Sequence, residues 1–290
     1  MQSTKAWFFI ILQFLVPKLL ITNIVYYITR IKHTVFKNYL IQNFIKIYNV
    51  NTDEIKIKNL DEYSSFNAFF TRELQPSARP IEKEKNILIS PVDGKLSAFG
   101  KIKENQLFQA KSFHYSLQEI LGNNNPSTEQ FIDGNFATIY LAPFNYHRVH
   151  VPLDAVLTKM HYIPGNLFSV NQVTASRIPK LFIRNERLVC YFDTGGFEMI
   201  LIFVGAMNVG SITTPWTGEI RPKKRGAIIE LELTKNVSTA LKKGDLLGWF
   251  NMGSTVITLF PKNACHWAES LRNDKDIFMG NKIGSLIYPS

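Results

Sequence analysis

The N-terminal part of the chain combines apolar runs with scattered basic residues. Residues 6–16 contain one polar side chain, Gln13, and Pro17 and Lys18 then end the run. This run is shorter than the ~20 residues that a membrane-spanning helix needs. Beyond Pro17, apolar residues recur at steps of three and four, which predicts amphipathic helices. They are Leu19, Leu20, Ile24, Tyr27, Ile28 and Ile31.

From residue 86 onward, short β-branched and aromatic runs alternate with Gly, Pro, Asn and Asp, a pattern that predicts strands. The predicted strands are 87–89, 136–141, 157–163, 188–192, 199–204, 227–233, 246–250 and 256–260. Only 115–121 and, more weakly, 173–180 have a helical pattern there, so alternating βα units with a parallel sheet are disfavoured. A short capped helix is predicted at 65–74. The predicted fold class is α+β: N-terminal amphipathic helices followed by a mostly antiparallel, β-rich domain.

The charge distribution separates these two parts. The 290-residue chain carries a formal net charge of +10, which alone is compatible with nucleic acid, an anionic membrane or an acidic substrate. No Asp or Glu precedes Asp53, while Lys and Arg are spread through the apolar stretch, and this arrangement favours an anionic membrane surface. We therefore predict a helical membrane-association region at 1–75, a β-rich domain at 76–290, and no nucleic-acid partner.

Two other interpretations of the N-terminus stay open. A secretory signal also combines a charge with an apolar core, but no small-x-small cleavage site occurs before Pro17. A pair of core helices in a soluble protein would show the same apolar stripes. The two cysteines, Cys190 and Cys265, are too few for a disulfide framework and favour a reducing compartment.

Three short segments are candidates for chemistry: SPVDG at 90–94, YHRVH at 146–150 and GST at 253–255. Taken alone, Asp-Gly and Gly-Ser-Thr are usually turns. The histidines of YHRVH, His147 and His150, first suggest zinc. They lie where a strand is expected to end, and a spacing of three sends strand side chains to opposite faces. A metal site is therefore disfavoured, and we predict none.

An aspartate, a histidine and a serine together can activate a hydroxyl, which first suggests a hydrolase. An α/β hydrolase places its serine in Gly-x-Ser-x-Gly between a strand and a helix, whereas Ser254 lies between two predicted strands. Gly253 tolerates the unusual backbone angles that Ser254 needs to attack its own preceding carbonyl. Cys265 beside His266 is a weaker candidate, because adjacent residues seldom face each other.

Five segments resemble, in the same order, the motifs of bacterial phosphatidylserine decarboxylases. They are SPVDG, YHRVH, IPGNLFSVN at 163–171, RNER at 184–187 and MGST at 252–255. The resemblance runs from the basic apolar N-terminus to about Phe260 and so covers nearly the whole chain. Met252 stands where the family usually has Leu, a residue of similar volume. The Gly253–Ser254 pair is intact.

This resemblance implies an enzyme that cleaves itself between Gly253 and Ser254. Asp93 would orient His150, and His150 would activate Ser254 as the nucleophile. Ser254 would then become a pyruvoyl group, a covalent cofactor that forms a Schiff base with the amine of phosphatidylserine and takes up the electrons left by carbon dioxide. His147 would donate the proton that completes phosphatidylethanolamine. A purely structural role for His147 stays open.

The same resemblance and the charge pattern imply the surroundings of the enzyme. Phe168 and Val170 would contact the acyl chains or wall the pocket, although core packing explains them equally well. The expected partners are anionic membrane lipid, the phosphatidylserine substrate, the large and small chains of one precursor, and a second copy in a homodimer. The expected location is peripheral, on the cytoplasmic face of the inner membrane.

Two other functions stay open on the sequence alone. A soluble pyruvoyl decarboxylase acting on a free amino acid would share the self-cleavage, and only the acid-free, apolar N-terminus favours a lipid substrate over it. A non-catalytic β-rich module tethered to a membrane would contain Gly253–Ser254 as a simple turn. Such a module would remain an intact chain.

Overall fold

A computed structural model describes residues 2–110, 113–122, 126–208, 210–223 and 226–287. Seven α-helices lie within these ranges, three of them before residue 50. They are α1 (Gln2–Leu15), α2 (Lys18–Ile28), α3 (Thr34–Tyr48), α4 (Phe66–Phe70), α5 (Leu117–Leu121), α6 (Gln172–Ala175) and α7 (Leu181–Arg184). Short 3-10 helices cover Leu60–Glu62 and Pro126–Phe131.

Eighteen strands follow in the same described ranges, and all of them come after residue 86. They are β1 (Ile87–Ile89), β2 (Gly94–Lys101), β3 (Gln106–Ala110), β4 (Phe113–Ser116), β5 (Asn135–Tyr140), β6 (Arg148–His150), β7 (Ala155–Ile163), β8 (Arg187–Asp193), β9 (Glu198–Val204), β10 (Ile212–Thr214), β11 (Gly218–Ile220), β12 (Ile229–Leu231), β13 (Ala240–Leu241), β14 (Leu246–Phe250), β15 (Thr255–Phe260), β16 (Cys265–Trp267), β17 (Asp276–Ile277) and β18 (Lys282–Leu286).

The largest sheet has nine strands in the order β12-β7-β8-β9-β15-β5-β2-β17, with β13 also pairing with β7. Its neighbouring strands are antiparallel. A second sheet has the order β11-β10-β14-β6, so β14 and β15 lie in different sheets and the chain crosses between them at residues 251–254. Helices followed by antiparallel, β-rich structure confirm the predicted α+β class.

β15 lies inside the large sheet between β9 and β5, and all six of its residues are buried. A strand that is buried on both faces has a nearly continuous apolar sequence rather than an alternating one. Val256, Ile257 and Leu259 supply that apolar surface. The strand therefore holds the residues that precede it, at 253 and 254, at a fixed place on the sheet edge.

Two predicted helices differ from the observed ones for local reasons. Helix α5 begins at Leu117 rather than at residue 115, because Ser116 caps it in a capping box with Glu119 and the residues before it form β4. Of the predicted helix at 173–180 only the first turn is α-helical, in α6, and the left-handed backbone of Lys180, with φ of 56°, separates it from α7.

Helix α1 has its polar side chain inside and much of its apolar surface outside. Gln13 is buried. Its side-chain oxygen Oε1 accepts the backbone N–H of Ser169 at 2.8 Å, and its side-chain Nε2 donates to the Thr174 hydroxyl at 3.3 Å. Phe8 and Leu15, by contrast, are 69% and 76% exposed. A helix on the surface of a soluble protein has the opposite arrangement. Other exposed apolar residues on α1 and α2 are Trp7, Ile11, Leu12, Phe14, Leu20, Ile24, Tyr27 and Ile28.

No single helix of the described chain is long and apolar enough to cross a membrane. Thr4–Leu15 and Lys18–Ile28 pass that test of length and composition only when taken together, and they are bent by 90° at the break between them.

Helices α3 and α4 form a separate aromatic cluster. It comprises Ile41, Phe44, Val50, Ile55, Tyr63, Phe66, Phe69 and Phe70, and Met252 packs against it. Ile10 of α1 instead belongs to the large core formed by the strands. The boundary between residues 75 and 76 stays a prediction.

Candidate active site

Ser254 directly precedes the first residue of β15 and is completely buried. Its carbonyl oxygen accepts the backbone N–H of Leu141 at 2.8 Å, which extends the β5–β15 ladder by one residue. Its hydroxyl Oγ has no hydrogen-bond partner within the described chain. Buried polar atoms are nearly always hydrogen-bonded, and the exceptions call for an explanation. The free hydroxyl therefore marks Ser254 as the centre of a candidate site.

His147 lies against the residue that precedes this serine. Its Nδ1–H donates to the carbonyl of Asn145 at 2.8 Å, so Nε2 carries the lone pair. This Nε2 is 3.3 Å from the position that a Cβ would take on Gly253, and it has no hydrogen-bond partner in the described structure. Burial, helped by the charge of Arg72, lowers the pKa of His147 to about 3. His147 is thus a neutral imidazole with an unpartnered nitrogen beside Gly253.

His150, on β6, has partners for both ring nitrogens. Nδ1–H donates to the carbonyl of Gly244 at 2.8 Å, and Nε2 accepts the hydroxyl of Tyr146 at 3.1 Å. Burial lowers the pKa of His150, and the Asp93 carboxylate opposes part of that shift. The ring is therefore fixed in one tautomer, with its basic nitrogen directed at Tyr146.

Asp93, which ends the SPVD turn before β2, is buried and bound to a guanidinium. Arg79 Nε lies 2.8 and 3.0 Å from its two carboxylate oxygens, and Arg79 Nη2 lies 2.5 Å from Oδ2. The backbone N–H of Met279 donates to Oδ1 at 2.9 Å. Arg79 also pairs with Glu54 at 2.9 Å. This two-pronged contact pairs the Asp93 side chain with a guanidinium and fixes its orientation.

The structure thus brings together some of the predicted residues and leaves others apart. Gly253, Ser254 and His147 lie side by side. Within the described residues no hydrogen bond joins Asp93, His150 and Ser254, and Asp93 reaches His150 only through its longer-range charge. No group of three or more His, Cys, Asp or Glu side chains that could hold a metal occurs in the part of the chain described.

The aromatic cluster supports this site from the N-terminal side. The Phe70 ring lies 4.2 Å from the His147 ring, centroid to centroid. The Asn67 amide donates to Asn251 Oδ1 at 3.0 Å, and the Asn251 amide donates in turn to the Ser211 hydroxyl at 2.7 Å. Helix α4 therefore positions both the histidine and the crossing segment that ends at Ser254.

Phe168 and Val170 are both buried in the large core. The Phe168 ring lies 5.0 Å from the ring of Phe14 on α1, centroid to centroid. The side-chain amide of Asn185 donates to the carbonyls of Phe168 and Gly205, both at 2.8 Å. Gly205 follows β9 at the edge where Ser254 lies, so the Phe168 segment connects α1 to that edge. A substrate contact for Phe168 and Val170 stays a prediction.

Sequence reasoning did not find Arg79, Tyr146 and Gly244, which hold Asp93 and His150. Tyr146 belongs to the YHRVH segment, and only the neighbouring histidines were assigned roles. Arg79 lies in the extended passage before β1, where the Arg-Pro sequence gives no sign of its partner. Each of these contacts depends on how distant segments meet, and no local pattern encodes that.

We expect the Arg79–Asp93 pair to show strong coupling in a double-variant cycle. Arg79→Ala leaves a buried carboxylate without its cation, and breaking such a pair costs about 3–5 kcal/mol of unfolding free energy. Adding Asp93→Ala should recover part of that loss, because it removes the unpaired charge. Urea unfolding measures all four chains, each carrying Ser254→Ala so that the self-cleavage predicted from the sequence cannot take place. Purely additive losses would contradict this expectation.

The exposed pair of Lys56 and Glu73, 2.7 Å apart, provides the matched control for this cycle. Both side chains are about half exposed, so Lys56→Ala should change the unfolding free energy by less than about 1 kcal/mol.

Comparison with known proteins agrees with the geometry of this site. The family model described as phosphatidylserine decarboxylase matches residues 66–285, and a model described as PSD matches residues 8–49. The phosphatidylserine decarboxylase proenzyme of Saccharophagus degradans is 43% identical over 283 residues, covering 96% of this chain and 97% of the relative. That of Alcanivorax borkumensis is 41% identical over 285 residues, covering 98% of each chain. That of Coxiella burnetii strain RSA 331 is 43% identical over 270 residues, covering 93% and 95%. The chain belongs to the phosphatidylserine decarboxylase family.

Proposed function

We propose that this chain is the precursor of an enzyme that cleaves itself between Gly253 and Ser254 and then converts phosphatidylserine to phosphatidylethanolamine. The observation that carries the proposal is the unpartnered, buried hydroxyl of Ser254, directly after Gly253, which lies beside the unpartnered Nε2 of His147. The relatives, which are named as phosphatidylserine decarboxylase proenzymes, support both the processing and the substrate.

Self-cleavage begins at the Ser254 hydroxyl. A base takes its proton, Oγ attacks the Gly253 carbonyl carbon, and the peptide C–N bond breaks to leave an ester and a free amine. Loss of the Ser254 Cα proton then expels Gly253 as a carboxylate and leaves a dehydroalanine. Water hydrolyses this group to ammonia and a pyruvoyl group, which begins the C-terminal chain at residue 254.

Two histidines could supply the base. The proposal assigns self-cleavage to Asp93, His150 and Ser254, and assigns to His147 the protonation of the decarboxylated carbon. The Tyr146 hydroxyl occupies the basic nitrogen of His150. In this proposal His150 therefore takes the Ser254 proton either through the Tyr146 hydroxyl or after Tyr146 breaks its hydrogen bond to His150. His147 is the competing base, because its Nε2 already lies beside Gly253.

The position of Ser254 suits the pyruvoyl cofactor that self-cleavage would leave there. The pyruvoyl ketone supplies an electron-withdrawing carbonyl that binds the substrate amine, as pyridoxal phosphate would. Thr255 pairs with both β5 and β9 and holds the start of the new chain, and burial keeps residue 254 apart from bulk solvent. His147 is a neutral imidazole beside Gly253, so Nε2 must first bind a proton before His147 protonates the decarboxylated carbon.

The outward apolar face of α1 and α2 supports a lipid substrate and a peripheral place on the cytoplasmic face of the inner membrane. A cavity of about 700 Å³ lies between the α1–α2 bend and the segment that precedes Phe168, with Lys18 and Leu20 on one side and Asn166 and Lys223 on the other. In this proposal the headgroup of phosphatidylserine enters there and Phe168 and Val170 face the lipid. The homodimer rests on the family resemblance alone.

Intact-mass analysis under denaturing conditions tests the self-cleavage. We expect wild type to give two chains that divide between residues 253 and 254, with the C-terminal chain lighter by one ammonia than a chain that begins with serine. Ser254→Ala should remain a single full-length chain, since it lacks the nucleophile. A single intact wild-type chain would refute the pyruvoyl proposal and favour a non-catalytic module.

Paired histidine variants test the two roles. We expect His150→Ala to remain uncleaved, while His147→Ala cleaves but decarboxylates phosphatidylserine at least ~10²-fold more slowly, the usual contribution of a positioned acid or base. Cleavage is followed by denaturing electrophoresis, and turnover by carbon dioxide release. An uncleaved His147→Ala beside a cleaved His150→Ala would instead make His147 the base of self-cleavage.

Co-sedimentation with anionic liposomes tests the membrane face. Replacing Phe8, Ile11 and Leu15 with serine should release much of the protein, because each removes apolar surface that would lie at the lipid interface. Ile132→Ser, which alters an exposed apolar residue outside these helices, is the matched control and should sediment like wild type. Unchanged binding of the triple variant would rule out this face as the anchor.

A further inference from the structure

Glu186 is a buried acid that no step above uses. Its Oε2 accepts the Tyr162 hydroxyl at 2.7 Å, and the described residues place no hydrogen-bond donor on its Oε1. Burial raises the pKa of Glu186 to about 7, and no cation among the described residues offsets that shift. Glu186 can therefore either take or give a proton near neutral pH.

Three neighbouring strands of the large sheet bring Glu186 toward Ser254. The last row paired across β8, β9 and β15 consists of Arg187, Val204 and Thr255. One residue further toward the same edge lie Glu186, Gly205 and Ser254, and the Gly205 N–H donates to the Glu186 carbonyl at 2.9 Å. Residues opposite each other on antiparallel strands share a face of the sheet. The side chains of Glu186 and Ser254 therefore lie on the same face.

Gly205, between them, has no side chain to separate them. A Cβ on Gly205 would lie 2.6 Å from both Cγ and Oε1 of Glu186, so the acid crosses over Gly205 toward Ser254. Neighbouring strands are ~4.8 Å apart. The Glu186 carboxylate therefore lies over Gly205, the residue one strand away from Ser254.

The backbone of Ser254 is turned so that its Cα–H faces this acid. In an antiparallel ladder, the N–H and C=O of a residue face one neighbouring strand and its Cα–H faces the other. The Ser254 carbonyl bonds to Leu141 on the β5 side. Its Cα–H therefore points toward β9, where the Glu186 carboxylate covers Gly205.

We propose that Glu186 accepts the Cα proton of Ser254 in the elimination step of self-cleavage, an assignment that rests on the proposed function. In the ester, the Cα–H electron pair becomes the Cα=Cβ double bond, the Cβ–O bond breaks, and Gly253 leaves as a carboxylate. Glu186 is left protonated. The Tyr162 hydroxyl, which donates to Glu186 and accepts the backbone N–H of the exposed Lys223 at 3.1 Å, holds the acid in place.

The test is hydroxylamine treatment of purified Glu186→Gln. Glutamine keeps the size of the side chain and a hydrogen bond to Tyr162 but accepts no proton. We expect the ester to form and then persist, with self-cleavage slowed by about 10²-fold or more. Hydroxylamine should cut that ester, and mass analysis should find a Gly253 hydroxamate and a C-terminal chain that begins with intact serine.

Three control chains accompany this variant. Glu186→Gln/Ser254→Ala should resist hydroxylamine, since it cannot form the ester. Glu198→Gln, which removes an acid from β9 in the same sheet, should cleave like wild type. Glu186→Asp keeps a carboxylate on a shorter side chain and is used if the glutamine variant does not fold. It should cleave slowly, and its ester intermediate should be cut by hydroxylamine.

The outcomes separate this assignment from the proposal it rests on. Wild-type cleavage together with normal cleavage of Glu186→Gln would overturn the assignment alone. A folded, uncleaved Glu186→Gln that resists hydroxylamine would also overturn the assignment, because the reaction would then stop before the ester forms. If Glu186→Gln does not fold, normal cleavage of Glu186→Asp would overturn it too. A wild-type chain that stays intact would overturn the proposed function and this assignment together.

Discussion

The backbone hydrogen bond from Leu141 to Ser254 is the contact on which the candidate site depends. It continues the central ladder by one residue beyond β15 and keeps Ser254 in line with the sheet, while Gly253 turns away toward His147. Both the buried hydroxyl and the imidazole nitrogen beside Gly253 lack partners, and each such atom costs about 1–3 kcal/mol. The buried apolar residues of β15 outweigh that cost and hold the polar groups in a dry, reactive arrangement.

A second constraint is the reversed polarity of α1. Because Gln13 bonds to the segment around Ser169, the helix must turn Phe8 and Leu15 away from the protein. The same segment is joined through the amide of Asn185 to Gly205, next to the row that holds Ser254. A short series of contacts therefore connects the apolar outer face of α1 to the candidate site. The proposed lipid substrate needs both the apolar face and the site.

The sequence predicted best where the signal is local. β-branched runs located strands such as β9 and β15, and the three- and four-residue apolar spacing after Pro17 located the N-terminal helices. The start of α5 was placed too early because capping by Ser116 overrides the apolar pattern of the preceding residues. In the site, the family resemblance grouped Asp93, the two histidines and Ser254. It did not encode the Arg79–Asp93 pair or the need for glycine at 205, because each depends on a side chain from another strand or segment.

The arrangement around the Gly253–Ser254 bond also explains how a chain could break there without coming apart. On one side, Asn251 is held by Ser211 and by helix α4. On the other side, Thr255 begins a strand that pairs with both of its neighbours. The crossing between the two sheets therefore has a firm anchor on each side of three residues: Met252 and Gly253 before the bond, and Ser254 after it. Cleavage in such a crossing frees the Gly253 carboxylate to move while residue 254 stays in register with Leu141 and Gly205, so the group made from the serine remains where its neighbours already lie.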